Sequence, residues 1–254
     1  MSGRLAIVGL GPGDPRFLTP EASAALAAAD SLYGYGPYLD RVPERPGQIR
    51  HPSDNREEAD RAREALAQAA SGANVVVVSG GDPGVFAMAA AVCEQVERGP
   101  DAWRTLELAV VPGITAMLAV AARAGAPLGH DFCAISLSDN LKPWPLVERR
   151  LAAAASAGFV IALYNPVSRA RPWQLGSAFD LLATHLPSST PVIFGHAVGR
   201  TGERIAVTRL DAARVEPADM ATLVIVGSAE TRVVPRPGLS PLVYTPRAAA
   251  EVIA

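Results

Sequence analysis

Three short turns rich in glycine and proline are the part of this sequence best suited to chemistry. They are Gly9-Leu-Gly-Pro-Gly-Asp14, Gly80-Gly-Asp-Pro-Gly84 and Val111-Pro-Gly-Ile-Thr-Ala116. Each follows an apolar β-branched run. Glycine lets a backbone approach a ligand closely, and proline fixes the chain's direction. The turns offer carbonyls, N–H groups, the Asp82 carboxylate and the Thr115 hydroxyl. Asp82 can accept hydrogen bonds from a ribose or an ammonium group, or cap the helix after Pro83, and the two roles are compatible. Thr115 reads as a ligand contact or as a plain helix cap. None of the turns contains Gly-Lys-Ser/Thr, so a P-loop is unsupported. A dinucleotide loop also fits poorly. Its third glycine would fall at Asp14, an anion where a pyrophosphate would sit, and Pro12 removes a backbone donor. Polar groups without a cluster of Lys or Arg suit a ligand that is polar but not a polyphosphate. S-adenosylmethionine, with its adenosine, amino acid and sulfonium, meets that description.

The elements that must hold these turns are legible in outline. Strands are predicted at Arg4–Val8, Ser31–Tyr35, Val75–Ser79 and Leu106–Val111. Helices are predicted at Thr19–Ala29, Asn55–Ala70, Val85–Val96 and Ile114–Ala124. Thr19 and Asn55 read as N-caps, and Pro20 as a first helical residue. This βα alternation predicts a mostly parallel sheet with helices on both faces. All three turns then lie at its carboxyl edge, where open α/β sheets bind ligands. The second half predicts strands at Phe132–Leu137, Phe159–Tyr164, Val192–Ala197, Glu203–Thr208 and Thr222–Val226. Helices are expected at Pro145–Ala157, Trp173–His185 and Leu210–Arg214. The short turn between Ala197 and Glu203 suggests an antiparallel pair, so this sheet is mixed. Gly125–Gly129 reads as a hinge between an N-terminal domain, 1–124, and a C-terminal domain, 125–254. The Pro-rich tail after Val234 reads as irregular, and Pro43–Pro52 carries no assignment.

Composition narrows the class. The 254 residues are 49% hydrophobic and 19% charged, with a net charge of −2. Such a chain has enough core to fold without disulfide or metal, and it lacks the signature of disorder. The near-neutral balance argues against a dedicated nucleic-acid binder. No window reaches 18 apolar residues, so no membrane span is expected. Cys93 and Cys133 read as buried free thiols, and no metal site is expected; a reducing cytoplasm fits both.

The three turns in this order, together with Leu163-Tyr-Asn-Pro166, resemble the tetrapyrrole methylase family from Leu5 to about Val234. The resemblance implies a two-domain α/β fold, usually homodimeric, that clasps S-adenosylmethionine in a cleft between its domains and releases S-adenosylhomocysteine. It assigns Pro12 to the first loop, at the base of a tetrapyrrole trough. It assigns Gly80, Gly81, Asp82 and Val85 to the loop around the methionine part, and Thr115 and Ala116 to the pair after the third turn. Tyr164, Asn165 and Ala197 are assigned to the adenosyl pocket. Within the family, Tyr33–Leu39, Ser136–Trp144 and Asn165–Trp173 look like the branch that methylates carbon 17 of precorrin-3B. In that branch the same step contracts the ring.

A substrate with many carboxylates needs cations, and Arg56, Lys142, Arg169 and Arg171 are candidates; each also reads as a solvated surface charge. The rearrangement needs a proton donor or acceptor. Asp14, Tyr35 and His196 are the catalytic candidates, with Asn55 and Asp139 as further polar groups. Asp14 also reads as closing its own turn, and His196 as a core histidine. The same scaffold hosts methylases of cobalt-containing rings, of a modified histidine and of ribosomal RNA. A non-enzymatic tetrapyrrole carrier is the reading from another class.

Overall fold

The computed structural model describes residues 3–54 and 56–248. Asn55, expected to cap a helix, lies outside the described residues. The chain divides into two compact units, Met1–Ala116 and Met117–Ala254. This division falls eight residues before the predicted boundary at 124/125. The helix that spans it packs on the second unit's sheet: a Cβ placed on Gly195 would lie 2.2 Å from a Val120 methyl.

The first unit runs β1 (Arg4–Gly9), α1 (Pro20–Ala28), β2 (Ser31–Tyr35), α2 (Gly36–Leu39), β3 (Ile49–Ser53), α3 (Glu58–Ala70), β4 (Asn74–Ser79), α4 (Met88–Arg98), α5 (Asp101–Arg104) and β5 (Glu107–Val111). The sheet order is β3-β2-β4-β1-β5, and every pairing is parallel. Alternation along the strands divides the core. Leu5, Ile7, Val75 and Val77 pack under α3 and α4, while Ala6, Val8, Val76 and Val78 pack under α1 and α2. Helices therefore cover both faces, as the βα alternation requires.

Several boundaries differ from expectation. Thr19 caps α1 as predicted, its hydroxyl accepting from the Ala22 N–H at 3.1 Å. Helix α3 starts at Glu58 rather than Asn55, and the Glu57 carboxylate reaches back to the Asp54 N–H. Helix α4 starts at Met88 rather than Val85, because Phe86 takes a left-handed φ of 52° that no helix continues through. Strand β3 fills part of the unassigned Pro43–Pro52 stretch. It lies at the sheet's edge, where Pro52 removes no needed hydrogen bond. Cys93 is exposed on α4, not buried. Cys133 is half-buried, and its burial pushes the thiol's pKa up.

The second unit continues with α6 (Ala116–Ala124), β6 (Gly125–Ala126), β7 (Phe132–Ser136), α7 (Trp144–Ser156), β8 (Val160–Tyr164), α8 (Gln174–Leu182), β9 (Pro191–His196), β10 (Arg204–Arg209), a 3-10 helix (Leu210–Val215), β11 (Thr222–Val226), β12 (Arg232–Arg236) and β13 (Leu239–Tyr244). Its main sheet has the order β10-β9-β11-β8-β7. Strands β7 and β8 run parallel, and the β8–β11, β11–β9 and β9–β10 pairs are antiparallel. Hence the carboxyl ends of β7, β8 and β9 share one edge with the start of β11. Ile135, Leu137, Leu163, Phe194 and Val224 form the core under α7 and α8.

The tail is not irregular. Strands β12 and β13 form an antiparallel hairpin turned at Gly238, and β13 pairs with β6. The expected hinge therefore begins with a two-residue strand, tied down where the Thr245 N–H donates to Ala126 O at 3.1 Å and its hydroxyl to Pro127 O at 2.7 Å. Among the described residues, no helix is long and apolar enough to cross a membrane.

Candidate functional site

The three turns of the first unit leave adjacent strands β4, β1 and β5 at one edge and lock onto each other. Gly11 and Gly81 exchange backbone hydrogen bonds of 3.1 and 2.9 Å, and Leu10 N–H donates to Ser79 O at 2.8 Å. The third turn is drawn in by Asp82. Its carboxylate accepts from Gly84 N–H at 2.8 Å and from Gly113 N–H at 3.0 Å. A Cβ on Gly113 would sit 2.2 Å from Gly81 O, and one on Gly9 would sit 2.7 Å from the same atom. Much of the glycine thus serves contact between the turns themselves. Gly81, at φ 68°, lies against Thr115 and Ala116, and Thr115 is buried. Pro12 lies within the first turn and Val85 just after the second, both half-buried.

Two neighbours that the sequence reading missed support this edge. Arg41 donates to Leu10 O and Gly11 O at 3.0 and 2.8 Å, which holds the first turn from behind. Tyr38 lies against Gly80, where a Cβ would come within 2.7 Å of its ring. Tyr35, a catalytic candidate, meets the Tyr38 ring edge-on at 5.4 Å. Neither signal was readable from spacing, since both contacts cross from one βα unit to the next.

Asp14, a catalytic candidate, is engaged locally. Its side chain caps a 3-10 turn, Pro15–Phe17, and pairs with the Arg16 guanidinium at 3.0 Å. The Arg16 hydrogen bonds hold its carboxyl below the usual carboxylate range. Arg56 is exposed beyond β3. The buried cation there is Arg61, to which the sequence reading gives no role. It donates to Ser53 Oγ at 2.7 Å and Asp54 O at 2.6 Å, and burial lowers its pKa against the pull of Glu58 and Glu57.

In the second unit the shared edge gathers Tyr164, Asn165, His196 and Ala197. Asn165 and Ala197 hold left-handed φ values of 52° and 48°. Such backbone is costly for residues other than glycine and clusters at functional sites. The Tyr164 hydroxyl accepts from Met117 N–H at 3.1 Å, at the start of α6. Asn165 Nδ2 donates to Ser136 Oγ at 3.0 Å, which leaves its carbonyl oxygen as an acceptor. Ala197 N–H donates to Ala221 O at 3.0 Å. The His196 Nε2 lies 3.3 Å from Asp219 Oδ2, and Asp219 also accepts from Thr222 Oγ1 and Ala221 N–H. Burial raises the Asp219 carboxyl, but the Thr222, Ala221 and His196 contacts together hold it below its ordinary value.

The cation candidates separate here. Arg171 is mostly buried, its guanidinium bonded to Ser138 Oγ and Ser168 Oγ, with Asp139 3.8 Å away. Lys142 is half-buried, and burial followed by the nearby Arg150 charge pushes its pKa down. Arg169 is exposed. The two Trp residues that close the branch-like segments, Trp144 and Trp173, meet edge to face at 4.9 Å.

The donor set fits an adenosyl amino acid. In the first unit the turns offer backbone groups, the Asp82 carboxylate and the Thr115 hydroxyl; in the second, the shared edge offers the Asn165 amide and backbone groups. Across residues 4–214 the chain matches the family model of tetrapyrrole (corrin/porphyrin) methylases. The chain is a tetrapyrrole methylase. It is 66% identical over 247 residues to a precorrin-3B C(17)-methyltransferase from Sinorhizobium sp, covering 97% of each chain. A crystal structure of the methyltransferase CobJ is 49% identical, with a TM-score of 0.89 over 96% of this chain and 100% of that one. A Thermus thermophilus uroporphyrin-III C-methyltransferase complexed with S-adenosylhomocysteine is 25% identical, with a TM-score of 0.68 over 89% of this chain and 98% of that one. The α/β fold with a parallel first sheet and a mixed second sheet is therefore the fold of the methylase, as expected.

Proposed function

We propose that this protein is an S-adenosylmethionine-dependent methyltransferase that methylates carbon 17 of precorrin-3B and contracts the ring to precorrin-4, a step of cobalamin biosynthesis. The observation that carries the reading is the near-full-length identity to the Sinorhizobium enzyme of that name. Features within each unit, taken separately, support it. Gly80, Gly81, Asp82, Val85, Thr115 and Ala116 supply the interlocked turns suited to the amino-acid part of the cofactor. Tyr164, Asn165 and Ala197 supply acceptors and fixed backbone suited to the adenosyl part. Bound S-adenosylmethionine brings an already activated methyl group, so alignment and exclusion of water account for most of what the protein must add.

Ring contraction also needs a proton to move, and His196 is the group assigned to it. Asp219 is held ionised and accepts from His196 Nε2–H, which leaves Nδ1 as the basic atom. Arg171 and Lys142 are assigned to substrate carboxylates. Incubation with S-adenosylmethionine and precorrin-3B tests the reading by product mass and absorbance. The expected result is a gain of one methyl group with an altered spectrum. An unchanged mass overturns it.

A further inference from the structure

The two segments that distinguish this branch, Ser136–Trp144 and Asn165–Trp173, are joined by one chain of hydrogen bonds inside the second unit. Asn165 Nδ2 donates to Ser136 Oγ at 3.0 Å. The same oxygen accepts from Ser138 N–H at 3.3 Å. Ser138 Oγ in turn accepts from the Arg171 Nη1 group. Arg171 Nε is held by Ser168 Oγ at 3.3 Å, and Ser168 and Arg171 exchange backbone hydrogen bonds of 3.1 and 3.0 Å. The guanidinium is thus held at Nε and Nη1 by neutral hydroxyls. Asp139, at 3.8 Å, is too far for a direct hydrogen bond. Nη2 has no protein partner among the described residues. With Nε and Nη1 engaged, the Nη2 donors are the ones left to meet a substrate carboxylate in a charge-assisted hydrogen bond.

We propose that Ser138 is a positioning residue that couples carboxylate binding at Arg171 to cofactor binding at Asn165. The inference rests on the functional reading above, which places the adenosyl group at Asn165. The contact between the guanidinium and Ser138 Oγ exists without substrate, and a carboxylate docked on Arg171 immobilises the guanidinium and so keeps that contact more fully populated. The Ser138 backbone then keeps its N–H on Ser136 Oγ, and Ser136 keeps the Asn165 carboxamide turned with its oxygen outward. A cofactor that needs that oxygen meets a side chain already oriented. Affinity linked in one direction is linked equally in the other, so the cofactor also favours the substrate. Ser138→Ala removes only the hydroxyl that meets Arg171 and retains the N–H to Ser136. It therefore cuts the chain at one point.

The test is calorimetric titration of the full-length protein with S-adenosylhomocysteine, with and without saturating precorrin-3B. The product cofactor cannot react, so a dead-end complex forms. The quantity read is the ratio of the two dissociation constants. In the wild-type protein precorrin-3B is expected to tighten S-adenosylhomocysteine binding by on the order of fivefold. In Ser138→Ala the ratio is expected to fall to about one, and Ser138→Thr, which keeps the hydroxyl, is expected to restore it. A purely structural role for Ser138 would shift both constants together and leave the ratio intact. A wild-type ratio of one, or an unchanged ratio in Ser138→Ala, overturns the coupling and leaves the methyltransferase reading standing. A wild-type protein that binds neither molecule overturns that reading, and the coupling with it.

Discussion

Single residues tie together parts of the chain that are far apart in sequence, and Asp82 shows it best. The sequence allows it to contact a ligand, to cap the helix after Pro83, or both; the helix starts only at Met88, so Asp82 does not cap it. The structure gives its carboxylate to Gly84 and Gly113, so it also ties two turns that are 31 positions apart. Hydrogen bonds to a charged group contribute about 1.5–3 kcal/mol each when buried. Asp82 is half-exposed, so Asp82→Ala is expected to cost about 2 kcal/mol in total. Urea denaturation reads that loss, and S-adenosylhomocysteine titration should show markedly weaker binding. Full stability in the variant would mean that the turns hold without it. Asp219 carries a pH signature. Its folded-state value lies below its unfolded one, so its stabilisation is complete above about pH 4 and disappears as pH falls through the folded value. Asp219→Asn should therefore lower the urea midpoint at pH 7 and converge on wild type near pH 2. Parallel loss at both pH values would refute the ionised-carboxylate account. Asp14 has its partners in Arg16, so Asp14→Asn should leave methylation and contraction within about threefold, the scatter expected of an exposed surface site.

Elements place these residues, and one loop is held more firmly than its length suggests. The β9–β10 connection begins at Ala197, in left-handed backbone, and ends at Glu203. That carboxylate accepts from Gly199 N–H at 2.8 Å and from Arg123 Nε of α6 at 2.6 Å. The pair is partly exposed, so its direct contribution to stability is small, about 0–1 kcal/mol. Its value lies in fixing the loop that presents Ala197. Glu203→Ala is expected to leave the melting midpoint nearly unchanged while raising the S-adenosylhomocysteine dissociation constant by roughly tenfold, about 1.4 kcal/mol. An unaltered constant would remove the clamp from the binding site. The strand–turn–helix outlines of both units were legible, because buried parallel strands read as continuous apolar runs and Thr19 carries its cap chemistry on its surface. Strand β3 was not legible. Ile-Arg-His-Pro-Ser has neither an apolar run nor alternation, and it exists by pairing with β2. The β12–β13 hairpin was hidden by Pro235 and Pro241 and by its exposed side chains, so burial left no pattern to read.

At the scale of the whole molecule, part of the high count of 22 glycines acquires a physical reason. At the first unit's edge the turns pack backbone against backbone, and no side chain larger than hydrogen fits at Gly9 or Gly113. The partners of Asp82, Arg41 and Tyr38 were not readable beforehand, because they depend on which strands are neighbours in the sheet rather than on which residues are adjacent along the chain. The sheet order β4-β1-β5 brings together turns that are about 70–100 positions apart. A binding edge built this way should be sensed by global stability. A ligand that binds only the folded chain stabilises it by about 2.7 kcal/mol at a free concentration one hundred times its dissociation constant. For a chain of this size each kcal/mol raises the melting midpoint by about 2–4 °C, so S-adenosylhomocysteine should raise it by roughly 5–10 °C. Gly113→Ala tests whether the interlocked turns carry that response. The added methyl meets Gly81 O, backbone that cannot swing aside as a side chain would, so the turns must separate. The variant is expected to melt lower than wild type and to lose most of the ligand-induced rise. A variant that keeps the full rise would show that the turns need not interlock to bind. A wild-type protein that shows no rise would remove the cofactor, and the methyltransferase reading with it.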